Sequence, residues 1–250
     1  MDPISITAAS GMRARMESLD MLANNLANAS TGGYKTDREF FGLYVSQEAQ
    51  EIDGQGLDGS PDQLPVIERQ YTDFSQGTIL TTGNPLDFAL SGRGFFAING
   101  PIGPLFTRNG SFKLTSAGVL VTGDGMPVRN RNGGGVIQTR SSSNLEVAAD
   151  GTILQDGQPL GRFDVVSFDE PAQLTKQGMN YFHQIDATLA PAVSDAQVYQ
   201  GRLEGSNVGS AESSVRLISV LRQFEMLSKA VNIGADMDKQ ALQDVARVNS

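Results

Sequence analysis

The 250-residue sequence holds one histidine, no cysteine and no tryptophan, so few of its side chains could do chemistry. His183 follows Tyr181–Phe182 with no nucleophile or orienting carboxylate beside it, and the expected state is a half-buried strand or edge histidine. No second histidine is present to share a metal, and the absence of Cys excludes thiolate zinc sites, cysteine nucleophiles and disulfides. Asp150, Asp156 and Asp169–Glu170 could be read as the carboxylate pair of a glycosidase. Asp150 and Asp156 each precede Gly and are accounted for by turns, while Asp169–Glu170–Pro171 reads as the end of a strand. Gly92–Arg93–Gly94–Phe95–Phe96–Ala97 has the spacing of a dinucleotide loop, but such a loop must open a helix that faces the pyrophosphate. Here Phe95–Ile98 reads as a strand and Asn99–Gly100 as its turn, so a hairpin is expected. Arg131–Asn132–Gly133–Gly134–Gly135 lacks the Gly-Lys-Ser/Thr ending of a phosphate loop. Arg108, Arg129, Arg131 and Arg140 sit around turns, where a solvated surface is the default. The expectation is no enzyme: no catalytic residue, no cofactor site and no metal site.

Composition points the same way. With 28 acidic against 19 basic residues the net charge is −9, a field that repels phosphates and excludes backbone-driven nucleic-acid binding. No stretch approaches the ~18–20 apolar residues of a membrane helix, so no direct membrane insertion is expected. Met1–Asp2–Pro3 opens without the basic and apolar regions of a secretory signal, and no cleavable leader is expected.

Helical periodicity is confined to the ends. Ala9, Met12, Met16, Leu19, Ala23 and Leu26 recur at spacings of three and four, one seam of a helix from about Pro3 to Asn28. Asp2 is a fitting N-cap, Pro3 suits the first turn, and Gly32–Gly33 follow the helix end. Asn24, Asn25 and Asn28 could cap that end or bond carbonyls of neighbouring subunits. A second helix from about Ser210 to Val248 carries one seam at Leu217, Val220, Phe224, Leu227 and Val231, rejoined by Leu242 and Val245. Val215, Met226, Ile233 and Met237 fall on nearly the opposite face, and Arg222, Glu225, Lys229, Asp236, Gln240 and Arg247 keep to a narrow polar stripe. A helix apolar on two sides needs neighbours on two sides, so self-assembly is expected.

Between the helices, eight Asn-Gly or Asp-Gly pairs punctuate short apolar runs, six of them between Asn99 and Gly157. Strands are expected at Leu86–Leu90, Phe95–Ile98, Ser111–Leu114, Val119–Thr122, Gly135–Thr139, Asn144–Val147, Thr152–Gln155 and Phe163–Phe168, as an antiparallel sandwich or barrel-like domain. Glu48–Pro65 is rich in Gly, Asp and Gln and reads as a flexible link or exposed extension. The fold class is α+β, with long terminal helices packing together around a central all-β domain. The expected division is 1–33 with 205–250 helical, 34–80 a linker or extension, and 81–204 the β-rich domain.

Several segments resemble, in order, the bacterial flagellar rod and hook proteins. They are Ala23–Asn28 with Thr31–Lys35, Asn84–Leu90 leading into Gly92–Phe96, Thr107–Phe112, Gly118–Val128, Leu203–Val208 and Phe224–Ala230. The resemblance spans nearly the whole chain. It implies a structural axial subunit of the basal-body rod, whose terminal helices form an inner tube while the β domain forms an outer layer. It also implies a rod position across the periplasm and export in an unfolded state by the flagellar type III apparatus, which fits the lack of Cys. Partners would be copies of itself and the other rod subunits, proximal and distal. The length, Asn28–Thr31 and Arg222–Met226 are more similar to the proximal than to the distal branch. Expected assembly residues are Met12, Met16, Leu19, Ala23, Asn24, Asn25, Leu26 and Asn28; Leu203 and Asn207 on the return path; and Leu217, Val220, Phe224, Met226, Leu227, Val231, Ile233 and Met237. A secreted carbohydrate-binding β domain on a helical oligomerisation stalk is the competing reading. The rod reading further predicts that free terminal helices order only on assembly.

Overall fold

The computed structural model describes residues 3–45, 63–132, 135–139, 145–168, 174–186 and 190–248. The described residues fall into two compact units, one drawn from 1–27, 37–71 and 209–250, the other from 28–36 and 72–208. These limits differ from the expected division. Residues 28–36 and 205–208 belong with the β unit, and 37–71 belong with the helices.

The helical unit contains α1 (Pro3–Ala27), β1 (Asp37–Val45), β2 (Gln63–Thr72) and α2 (Ser210–Val248). Both helices are formed and pack against each other. The expected link is strand-forming at both ends, because β1 pairs with β2. Phe40, Phe41, Leu43, Tyr44 and Val45 give β1 the aromatic and branched composition that favours extended chain. The Gly- and Asp-rich residues 48–62 lie outside the described residues, as do Asp2, Arg140 and Asp169–Pro171.

The β unit is built from β3 (Ile79–Thr81), β4 (Phe88–Ser91), β5 (Phe95–Asn99), β6 (Pro104–Thr107), β7 (Phe112–Leu114), β8 (Leu120–Thr122), β9 (Leu145–Val147), β10 (Thr152–Gln155), β11 (Gln158–Arg162), β12 (Val165–Ser167), β13 (Leu174–Gln177), β14 (Tyr181–Gln184), β15 (Ala192–Val193), β16 (Gln197–Gln200) and β17 (Arg202–Glu204). A six-stranded antiparallel sheet runs β13-β14-β6-β5-β12-β15. Smaller ladders are β11-β10-β9, β16-β4, β17-β3 and β7-β8. Gly135–Thr139, expected as a strand, makes only isolated bridges through Val136 and Gln138.

Neither a simple two-sheet sandwich nor a barrel results, because the six-stranded sheet is buried on both faces. Side chains alternate across a strand. Along β5, Phe96 and Ile98 enter one apolar cluster with Phe88, Phe112, Leu120 and Phe163. Phe95 and Ala97 enter another with Phe106, Val166, Leu174 and Phe182. Edge-on aromatic contacts knit each cluster, with ring centroids 5.0 Å apart for Phe88–Phe163 and 5.1 Å for Phe74–Phe182. Turn chemistry follows the dipeptides. Gln155 pairs with Gln158 across Asp156–Gly157, and both turn residues have positive φ (51° and 76°), the type I′ geometry that favours Asp-Gly.

One buried ionic cluster closes this unit. Glu204, at the end of β17, accepts from Lys35 Nζ at 2.6 Å and from Arg108 Nη1 at 3.1 Å, and its side chain is fully buried. The backbone N–H of Gly77 also donates to this carboxylate, at 2.9 Å. Lys35 Nζ donates to the carbonyl of Ser75 at 2.6 Å, and Arg108 Nη2 to that of Gly92 at 2.8 Å. Arg108 was expected at a solvated turn; it is 3% exposed, with its guanidinium 5.2 Å from the centre of the Phe95 ring. Burial pushes the Lys35 pKa down, and Glu204 pulls it back up. Gly33, at φ 69°, brings its N–H to the Glu204 carbonyl at 2.8 Å, and a Cβ there would overlap the Asn109 backbone. Asn207 completes the closure: its Oδ1 accepts from Thr36 N, and its Nδ2 donates to the Asp73 carbonyl, both at 2.8 Å. These bonds are why the crossing segments belong to the β unit.

Two cations share one carboxylate, so the substitutions should be unequal. Glu204→Gln leaves both charges uncompensated and should cost about 3–5 kcal/mol, whereas Lys35→Met leaves an Arg108–Glu204 pair and should cost clearly less. Urea unfolding of the full chain, followed by near-ultraviolet circular dichroism, checks this ranking.

Candidate assembly interface

The seam that α1 turns to the interior of its unit is not the apolar seam of the sequence. Ala14, Ser18, Met21, Leu22 and Asn25 are buried. The expected seam lies two residues away at most of its positions, or about 200° around a helix. Met16 is 57% exposed and Ala23 is exposed, while Met12, Leu19 and Leu26 are half-buried. The physical reason lies in what the inner positions bond. Ser18 Oγ donates to Glu39 Oε2 at 2.6 Å, and Arg216 Nη2 donates to Glu39 Oε1 at 2.9 Å. Glu39 on β1, with its side chain 1% exposed, therefore ties α1 to α2. Asn25 uses its amide as a backbone mimic, donating from Nδ2 to the Asp37 carbonyl at 2.8 Å and accepting from Asp37 N–H at 3.0 Å.

The three asparagines separate in consequence. Asn25 is committed to β1, and Asn28 accepts from the Thr31 backbone and hydroxyl in the turn after α1, at 3.1 and 3.2 Å. Asn24 is exposed. On the return path Asn207 is likewise bonded inside the chain, and Leu203 is half-buried opposite Leu80 on β3. Glu39, Lys35, Arg108 and Glu204 escaped selection as functional residues, since isolated charges carry no periodic signal. Only the motif strings around Lys35, Arg108 and Glu204 drew notice to their neighbourhoods.

Along α2, Val220 is 6% exposed, and Leu217, Phe224, Leu227 and Val231 are half-buried. Val215, Met226, Ile233 and Met237 stand out at 70%, 62%, 59% and 65% exposure. Arg222, Glu225, Lys229, Asp236 and Gln240 are exposed beside them. The side chains of Leu242 and Val245 lie outside the described residues. A helix that has used its inner seam still presents a row of large apolar side chains. Such a row is a candidate interaction surface.

The β unit offers less. An open groove of about 1140 Å³ is lined by Asn84, Leu86, Phe112, Lys113, Gln138 and Leu160 among others. Its aromatic side chain, Phe112, is 2% exposed, so no ring is free to stack on a sugar there. His183 lies on β14 opposite Thr175, with Nδ1 buried and unbonded. Among the described residues no group of three His, Asp or Glu side chains could hold a metal ion, and no helix is long and apolar enough to cross a membrane.

Paired terminal helices with surplus apolar surface, joined through a β-rich middle, define a structural subunit made for assembly. Three family descriptions match along the chain: "Flagella basal body rod protein" over 7–35, "Flagellar hook protein FlgE/F/G D1 domain" over 89–155 and "Flagellar basal body rod FlgEFG protein C-terminal" over 199–244. Lys35, Arg108 and Glu204 fall one in each. The chain is 31% identical over 231 residues to the flagellar basal-body rod protein FlgF of Caulobacter vibrioides, covering 92% of this chain and 93% of that one. It is 33% identical over 264 residues to the FlgG protein of Agrobacterium fabrum (92% and 94% covered), and 31% identical over 246 residues to FlgG of Bacillus subtilis (89% and 91%). The chain belongs to the flagellar basal-body rod protein family.

Asn25→Ala removes both bonds to β1 and leaves the Asp37 backbone groups without them. It should destabilise the helical unit by about 1–3 kcal/mol. Hydrogen exchange at the Asp37 amide should accelerate, and unchanged protection there would show that Asn25 does not hold β1.

Proposed function

We propose that this chain is a structural axial subunit of the flagellar basal-body rod that docks onto copies of itself and onto other rod proteins through the outer faces of its terminal helices. The family supports the rod and the basal-body location. The observation that carries the docking mode is the exposed row Val215, Met226, Ile233 and Met237 on a helix whose other seam already faces its partner in the chain. On α1, Met16 and Ala23 offer a second outward strip, with Met12, Leu19 and Leu26 at its margins. Long helices packed side by side resist bending and twisting, which suits a shaft that transmits torque from motor to hook. The length and the Asn28–Thr31 and Arg222–Met226 strings, together with the likeness to the Caulobacter FlgF, favour a proximal position. Delivery by the flagellar type III export apparatus completes the reading.

Met226→Asp together with Ile233→Asp places two charges on the outer row while sparing Val220 and Leu227. In cells this pair should abolish swimming and rod assembly. The purified chain should keep its unfolding free energy to within about 1 kcal/mol, as two exposed substitutions do. Normal swimming would remove the outer row from the assembly.

A further inference from the structure

The chain contains eight methionines and no cysteine, so its oxidisable sulfur is all thioether. The structure distributes these residues unevenly. Met21 is 8% exposed, and Met12 and Met126 are half-buried. Met226 and Met237 are 62% and 65% exposed on the outer row of α2, and Met16 is 57% exposed on α1. Met179 is 62% exposed in the turn between β13 and β14, outside the helical unit. The thioethers open to solvent thus stand mainly on the helix faces that have no partner within the chain.

We infer that Met226 and Met237 make the outer row of α2 an oxidation-sensitive surface, on which a peroxide-class oxidant converts thioether to sulfoxide and removes the capacity to dock an apolar neighbour. The docking half of this inference rests on the assembly role proposed above; the oxidation half rests on exposure alone. In the step, a sulfur lone pair attacks one peroxide oxygen and the O–O bond breaks. The S–O bond forms, the proton on the transferred oxygen passes to the second oxygen, and that oxygen leaves as water. The sulfur loses two electrons and the peroxide gains them. The product is a polar, chiral side chain in place of a flexible apolar one, a change known to disrupt methionine-rich contacts and reversible by sulfoxide reductases. Inside a helix-to-helix seam the sulfoxide oxygen would have to give up its water, a cost that the apolar thioether does not carry.

Two measurements on the full chain test this. Purified protein is exposed to dilute hydrogen peroxide and its peptides are followed by mass spectrometry. Met226 and Met237 should gain an oxygen several-fold faster than Met21, and equal or slower oxidation would overturn the inference. In cells, Met226→Gln with Met237→Gln mimics the polar oxygen without breaking the helix, because Gln is a good helix former. Swimming should fall at least about tenfold with this pair. It should persist with Met226→Leu and Met237→Leu, which keep volume and apolarity. A glutamine pair that swims normally, or a leucine pair that does not swim, would overturn the inference. If the glutamine pair swims while Met226→Asp with Ile233→Asp does not, only the oxidation sensitivity falls. If both pairs swim, the assembly role of the row falls with it.

Discussion

A single buried carboxylate holds the two crossings of this chain together. Glu204 lies 169 residues from Lys35 and 96 from Arg108, and it meets both cations with its side chain fully buried. In a low-dielectric interior an uncompensated charge is far costlier than an unmade neutral contact, so these groups must meet or the unit stays open. Gly33, Asn207 and Gly77 then find their partners in the same place. The outgoing strand of chain after α1 and the incoming strand before α2 are fixed side by side in the β unit.

The inner face of α1 mixes small and polar side chains with the apolar Met21 and Leu22. Ala14 and Ser18 allow close approach, and Glu39 binds Ser18 and Arg216 at once. The larger apolar residues Met16, Met226, Ile233 and Met237 are left outward. This division has a physical logic for an assembling protein. Hydrogen bonds and a buried carboxylate fix which helix faces meet inside one chain, beside the buried apolar Met21, Leu22 and Val220, and a second apolar surface is left for contacts made later, when neighbours arrive.

How much of this was legible in the sequence depended on periodicity. The bounds of α1 and α2 followed from spacings of three and four, and the Asp156–Gly157 turn followed from its dipeptide. The two-sidedness of α2 was legible too, since Val220 and Met226 fall on opposite faces and differ in burial as the spacing requires. The inner seam of α1 was not, because Ser18 and Asn25 read as polar surface until Glu39 and Asp37 are brought to them. β13, β14 and β16 were missed because Lys176, Gln177, Gln184 and Gln200 interrupt any alternation. Arg108 read as solvated for the sound reason that charged residues are rarely buried without a partner, and its partner lay 96 residues on.

The central claim is that the outward row of α2 faces another rod subunit in the assembled structure. Site-specific photo-crosslinking tests it most directly, with the reactive side chain placed at Met226 in one strain and at Val220 in another, followed by isolation of basal bodies. The account predicts covalent adducts to a neighbouring rod subunit from position 226, and attachment within the same chain from position 220. Adducts between subunits from 220, or none from 226 in rods that assemble normally, would contradict it.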